Sequence, residues 1–177
     1  MNILITGASS GIGEALAEHY ALENNKLFIS GRNEDRLRQV AQICSELGSS
    51  CQYRILDVKD RLAMTNWIEE CDAAAPLDLV IANAGISGGT SFVNDGSPLN
   101  LETDREIFET NITGVINTIH PAIREMSARK SGHIAIISSI ASYTALPGAA
   151  SYSASKAALH SIYLGARENF NSKIINL

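Results

Sequence analysis

Ile3-Leu4-Ile5-Thr6-Gly7-Ala8-Ser9-Ser10-Gly11-Ile12-Gly13 is the stretch on which the fold of this chain turns. A short apolar run enters a Gly-x3-Gly-x-Gly turn, the pattern of a buried strand leading into a helix. Glycines there let the backbone approach a phosphate closely, and the helix beginning near Gly11 points its first N–H groups at the anion. The spacing differs from the Gly-x-Gly-x-x-Gly dinucleotide fingerprint. It also lacks the Gly-Lys-Ser/Thr ending of an ATP-binding loop. A glycine-rich strand-to-helix turn without a ligand is the alternative.

Outward from this turn, short apolar runs alternate with helical patterns, as in βαβ units around a parallel sheet. Strands are expected at Asn2–Thr6, Leu27–Ser30, Gln52–Leu56, Asp78–Ala82 and His133–Ser138, with a sixth at Lys173–Leu177. Helices are expected at Gly11–Glu23, Glu34–Leu47, Arg61–Glu70, Thr103–Lys130 and Tyr152–Phe170. Pro121 predicts a kink or break in the fourth of these. Ile86–Asn100, with Gly88-Gly89, Gly96 and Pro98, reads as a surface loop. There is no internal repeat, low-complexity tract or interdomain linker.

The chain has 177 residues, 45% of them hydrophobic, which fits one domain with a sizeable core. A net charge of −5 argues against nucleic acid or an anionic membrane as a partner. No apolar run approaches the ~20 residues of a membrane span. The first strand begins at Asn2, leaving no room for a leader, so a cytoplasmic protein is expected. Cys44, Cys51 and Cys71 form no Cys-x-x-Cys pair and read as reduced packing residues. The four histidines show no ligand spacing, so no metal site is expected.

Tyr152-Ser153-Ala154-Ser155-Lys156 sets a phenol and an ammonium four residues apart, with Ser139 thirteen residues before the phenol. On a helix, i and i+4 share one face, so both side chains can serve one substrate. A cation held beside a phenol favours the phenolate, which suits a proton donor and acceptor at neutral pH. By itself the pair is also what a solvated helix edge carries.

The glycine turn, Asp57, Asn83-Ala84-Gly85, Asn111, Ser139, Tyr152 and Lys156, in this order and spacing, resemble the short-chain dehydrogenase/reductase family along the whole chain. The resemblance implies a Rossmann-like α/β fold, a doubly wound parallel sheet with helices on both faces. It implies a nicotinamide cofactor held by Gly7, Ser9, Ser10, Gly11, Ile12, Gly13, Arg32, Asp57, Val58, Asn83, Ala84, Gly85, Tyr152 and Lys156. Asp57 would meet the adenine amino group, although capping the helix after it is an equal physical role. Asn83 either lets the backbone approach the ribose or simply holds the central sheet. Asn111, a poor interior helix residue, would perturb its helix and hold a water that contacts Lys156; its Asn-Ile-Thr context also matches a glycosylation sequon. Tyr152 would exchange a proton with a carbonyl or alcohol oxygen, Ser139 would hydrogen-bond that oxygen, and Lys156 would hold the ribose hydroxyls. Adjacent strand residues face opposite ways, and the family spacing selects Ser139 over Ser138.

The second strand ends in Ser30-Gly31-Arg32-Asn33, without the acidic residue that would bind a ribose 2′-hydroxyl. Arg32 therefore predicts NADP(H), with Ser9 or Ser10 as donors and NAD possible; pairing of Arg32 with Glu34 or Asp35 is the alternative. The segment Ile140–Ala150 suggests a substrate with an uncharged face, with Tyr143 and Leu146 either lining the pocket or packing. Family members continue past the sixth strand with a Pro-Gly turn, a substrate-covering segment and a further strand, so a C-terminally shortened single domain, 1–177, is expected. That shortening keeps open a binding module or fragment with a sensor or oligomerisation role. Members pair through two long helices, so Thr103–Lys130 and Tyr152–Phe170 are expected to form a homodimer or homotetramer. Ile107, Ile119, Ala154, Ala158, Leu159 and Ile162 offer more apolar surface than one sheet face needs, although some of them must be core. A second edge contact or disorder is expected near Ile174–Leu177.

Overall fold

The computed structural model describes residues 1–87, 101–169 and 175–176. Six parallel strands form one sheet in the order β3-β2-β1-β4-β5-β6. They are β1 (Asn2–Thr6), β2 (Lys26–Gly31), β3 (Ser50–Ile55), β4 (Leu79–Ala82), β5 (His133–Ile136) and β6 (Ile175–Asn176). Between them run α1 (Gly11–Ala21), α2 (Glu34–Glu46), α3 (Arg61–Ala74), α4 (Leu101–Phe108), α5 (Gly114–Arg129) and α6 (Ala150–Asn169). The parallel sheet is what the alternation of elements predicts, and its doubly wound Rossmann-like order is what the family resemblance implies. Most of the expected loop, residues 88–100, and most of the expected Lys173–Leu177 strand lie outside the described residues.

Side-chain alternation sorts the strands between two cores. Ile3, Ile5, Leu27, Ile29 and Ile81 pack with Ala17, Ala21, Leu37 and Val40 of α1 and α2. Leu4, Phe28, Val80, Ile134 and Ile136 point the other way, onto Met64, Trp67, Ile119, Met126 and Leu159 of α3, α5 and α6. A strand buried on both faces must be apolar at every position, which is why Ile3-Leu4-Ile5 and Leu79-Val80-Ile81 show no polar alternation. β3, at the sheet edge, does not follow this pattern: Gln52, Tyr53 and Ile55 are exposed.

Two expectations need correction. α5 runs through Pro121 without a break; a proline there denies a helical partner only to the carbonyl of Asn117. The region expected as one helix, Thr103–Lys130, departs from α-geometry earlier, at a π-turn over Glu109–Thr113 closed by Gly114 N–H donating to the Glu109 carbonyl. Of the apolar residues named for the two long helices, Ile107 (3% exposed), Ile119 (1%) and Leu159 (0%) belong to this chain's own core. Periodicity marks an apolar face but does not say which neighbour covers it. Ala154 is exposed, while Ala158 and Ile162 are half-buried.

Candidate active site

The strand order reverses between β1 and β4, and a crevice opens there at the carboxyl ends of the strands. The cleft has a volume of about 700 Å³. Gly7 (φ +67°) and Gly11 (φ +59°) adopt the left-handed turn after β1. A Cβ on Gly7 would stand 2.7 Å from the Cα of Ala84, and one on Gly13 would stand 2.3 Å from the Gly7 carbonyl oxygen. The turn and the β4 loop are thus in backbone contact, and only glycine fits. Ser10 takes the N-cap position of α1 without a side-chain cap bond, so the first N–H groups of the helix remain available. Ile12 is 62% exposed although apolar, on the cleft wall beside them. Ser9 also lines the cleft, and a Cβ on Gly31 would lie 3.1 Å from its Oγ.

Asn83 ties the two halves of the floor together. Its Nδ2 donates to the carbonyls of Thr6 (2.9 Å) and Gly7 (3.3 Å). Thr6 Oγ1 accepts from the N–H groups of Asn83 (3.1 Å) and Ala84 (3.2 Å). Asn83 therefore holds the sheet, and it lines the cleft together with Ala84 and Gly85. Sequence reading missed Thr6; a buried hydroxyl at a strand end beside a glycine turn is the available signal.

At the other end of the cleft, Asp57 Oδ1 accepts from the Lys59 N–H (2.9 Å). Capping of α3 falls instead to Asp60, whose Oδ1 accepts from Ala63 N–H (3.0 Å), so the capping role considered for Asp57 is corrected. Arg32 pairs with Asp57 (3.9 Å) and with Glu106 of α4 (3.7 Å), not with Glu34 or Asp35. Arg36, one turn into α2, lines the same wall as Arg32. Arg32 precedes the N-cap Asn33 of α2, so helical spacing carries no signal that would join Arg36 to it. Val58 is strapped from α5: Asn117 Nδ2 donates to the Val58 and Lys59 carbonyls at 2.9 and 3.2 Å. Gly114, on which a Cβ would stand 2.5 Å from Val58 Cγ2, lets α5 approach.

Near β4, β5 and α6 the structure gathers most of the proposed catalytic set. Lys156 is only 5% exposed and donates to the Ile137 carbonyl (2.8 Å). Its Nζ lies 5.7 Å from the centre of the Tyr152 ring, and both residues line the cleft. Burial pushes the Lys156 ammonium below the ordinary lysine value. Asn111, fully buried, sits inside the π-turn. Its Oδ1 accepts from Ile86 N–H (2.8 Å), and its Nδ2 donates to the Ile86 carbonyl (2.9 Å) and to Ser155 Oγ (3.0 Å). Such a side chain competes with a regular helix, and the helix yields at that residue. A Cβ on Gly85 would stand 3.2 Å from Asn111 Oδ1 and 3.6 Å from Lys156 Nζ. Asn111 thus lies close behind the lysine, beneath the cleft wall.

Ser139 is not brought to that wall; Ser138 is. Ser139 Oγ accepts from Ala141 N–H (3.1 Å) and caps a 3₁₀ turn over Ile140–Ser142. With a lone pair engaged, its O–H has no acceptor among the described residues and can turn to a ligand oxygen. Neither Tyr143 nor Leu146 lines the described cleft. Tyr143 is 73% exposed, and its hydroxyl lies 3.4 Å from His160 Nδ1. The Leu146 N–H donates to Ser153 Oγ (3.0 Å).

The cavity fits a dinucleotide by shape and by donor set. Gly7 on its wall has no room for a Cβ, a helix N-terminus offers free N–H groups, and Arg32 and Arg36 both line it. A model of the short chain dehydrogenase family matches residues 1–177. A protein of Myxococcus xanthus (strain DK1622), named an uncharacterized oxidoreductase, is 39% identical over 157 residues, covering 88% of this chain and 60% of that protein. The crystal structure of a 3-ketoacyl-ACP reductase from Sinorhizobium meliloti 1021 superposes with a TM-score of 0.85 at 30% identity, over 98% of this chain and 68% of that one. A variant of actinorhodin polyketide ketoreductase solved with NADPH gives a TM-score of 0.87 at 27% identity, over 99% and 67% of the two chains. The chain thus spans about two thirds or less of the length of these relatives.

Proposed function

The chain belongs to the short-chain dehydrogenase family, and on that premise we propose that residues 1–177 act as one nicotinamide-binding unit for hydride transfer between NADP(H) and a carbonyl or secondary alcohol carbon. One observation carries the reading. A buried lysine, held by the Ile137 carbonyl, stands one helical turn from Tyr152 at the end of a glycine-walled cleft. Burying an ammonium is costly, and a packing role would be served by an apolar residue.

Bound nicotinamide would supply or accept the hydride at the substrate carbon. Tyr152 gives its hydroxyl proton to the carbonyl oxygen in reduction and takes the alcohol proton in oxidation. Lys156, with its Nζ 5.7 Å from the centre of the Tyr152 ring, offers N–H donors to the ribose hydroxyls, and its burial eases loss of its own proton. Ser139 turns its free O–H to the same substrate oxygen and steadies the charge developing there. Asn111 fixes the helix so that a water can reach Lys156 from behind. The free N–H groups of α1, with Ser9 and Ser10, hold phosphate, and Asp57 and Val58 meet the adenine.

Arg32 and Arg36, lining one wall, support NADP(H) over NAD(H), because paired guanidinium groups match a 2′-phosphate. Fluorescence titration with NADPH and NADH tests this, followed by turnover on a panel of carbonyl compounds. NADPH should bind the wild type more tightly. Arg32→Ala should weaken NADPH binding by about tenfold, the scale of one charge-assisted hydrogen bond, and leave NADH binding nearly unchanged. A wild-type preference for NADH overturns the cofactor assignment. The engagement of Ser139 by Ala141 favours a second reading, a module that binds the cofactor without turnover; NADPH binding with no turnover on any carbonyl would select it.

The same reading places the protein in the cytoplasm, in keeping with three free cysteines. It also makes the protein a homodimer or homotetramer through α4, α5 and α6. On these helices Phe108 (39%) and Leu164 (46%) are exposed apolar residues. Light scattering at micromolar concentration should give a mass at least twice that of the chain; a monomer alone refutes the assembly. Among the described residues, no helix is long and apolar enough to cross a membrane.

A further inference from the structure

At the Asp57 end of the cleft, Arg32 meets its carboxylates differently from several other arginines of the chain. Arg38, Arg54 and Arg129 close on theirs at 2.5, 2.6 and 2.9 Å. Arg32 Nη1 stands off, 3.9 Å from Asp57 Oδ2 and 3.7 Å from Glu106 Oε1, too far to donate a hydrogen bond to either. Its fork of N–H donors is held by charge and left open on the cleft wall. Asp57 also faces Lys59 Nζ (3.8 Å), which faces Glu109 Oε2 (3.9 Å). The connected group thus sets three carboxylates against two cations. Arg36, on the same wall, makes no ion pair among the described residues and only brings this end to neutrality. Glu106 is carried there by α4, which is anchored on either side of it. Ile107 is buried, and Asp104 Oδ1 accepts from Ser151 Oγ of α6 (2.5 Å). Glu106 itself is half-exposed, and among the described residues Arg32 is its ionic partner.

We propose that Glu106 is a specificity-determining residue, whose carboxylate competes with the cofactor 2′-phosphate for Arg32 and so moderates the preference for NADP(H). This rests on the reading that Arg32 meets that phosphate. A phosphate monoester carries about −1.5 to −2 charge at neutral pH. To use the guanidinium fork it must come within about 2.7–2.9 Å of the nitrogens. A carboxylate 3.7 Å from the same guanidinium repels it and has to give up its own pair. NAD(H) carries a hydroxyl at that position, makes no such demand, and leaves the Glu106–Arg32 pair in place. Asp57 repels the phosphate too, but its carboxylate is turned by the Lys59 N–H and partly offset by Lys59 Nζ. Glu106 is therefore the part of the barrier that can be removed alone.

The test is fluorescence titration of the full chain with NADPH and with NADH, in the wild type, Glu106→Gln and Glu109→Gln. Glu106→Gln should tighten NADPH binding by about fivefold, the scale of one exposed ion pair, and leave NADH binding nearly unchanged. At about 1 M salt, where screening leaves a range of only ~3 Å, that gain should nearly vanish. Glu109→Gln removes the same charge one turn along, from a partner of Lys59, and should give a smaller gain. In the Arg32→Ala background Glu106→Gln should no longer matter, because the contested group is gone. An unchanged or lower ratio of NADPH to NADH affinity in Glu106→Gln overturns the proposal. So does an equal gain from Glu109→Gln, or a full gain without Arg32. A wild-type preference for NADH sinks the cofactor assignment but not the competition, which the change in that ratio still decides. Binding of neither nucleotide sinks both.

Discussion

Tyr152→Phe is expected to lower turnover by about two orders of magnitude or more, the scale of a lost general acid, while NADPH binding and thermal stability stay near wild type. The substitution removes one oxygen. Tyr152 is half-buried at the cleft wall, and its ring contact with Lys156 survives in phenylalanine. Lys156 keeps its hydrogen bond to the Ile137 carbonyl, so the cleft should retain its shape. The measurement is carbonyl reduction followed by loss of NADPH absorbance, with a parallel cofactor titration. Turnover close to wild type would remove Tyr152 from the proton transfer, whatever its position suggests.

Gly13→Ala carries the second large effect, and it acts on the architecture. The new methyl would stand 2.3 Å from the Gly7 carbonyl oxygen and 2.5 Å from Asn83 Nδ2. The nearest obstacle is backbone, which cannot rotate away. Either α1 withdraws from the turn or the Asn83 bonds to the Thr6 and Gly7 carbonyls break. Overpacking of this kind costs roughly 1–3 kcal/mol, and the α1 N–H groups shift from the phosphate. We expect a lower unfolding midpoint and NADPH affinity reduced by about tenfold or more, since about 1.4 kcal/mol corresponds to a factor of ten. Unchanged midpoint and affinity would show that α1 and the turn are not wedged together as described.

Much of the site was legible because its logic is local. The glycine turn follows an apolar run with no intervening residue, so strand, turn and helix N-terminus could be read in order. Tyr152 and Lys156 are one helical turn apart, and they share a wall of the cleft. Asn111 was legible as a misfit inside a helical pattern, and the π-turn forms at that residue. Of the kink or break expected at Pro121, the break does not occur: a proline removes one hydrogen bond, whereas Asn111 makes three with partners outside its own helix.

What the sequence determined by itself was the order and period of the elements, the class of sheet, and the residue types gathered at its carboxyl edge. These follow from backbone geometry, in which neighbours along the chain decide whether residues share a face. Tertiary structure alone decided who meets whom across that edge. It paired Arg32 with Asp57 and Glu106 instead of its sequence neighbours, and brought Arg36 to the same wall. It gave the capping of α3 to Asp60, set Ser138 rather than Ser139 on the cleft surface, and buried Ile107, Ile119 and Leu159 inside the chain. It also brought Thr6 against the loop after β4. Each of these depends on how closely two packed elements approach and on which way the side chains between them turn, and neither is encoded in spacing along one strand or one helix.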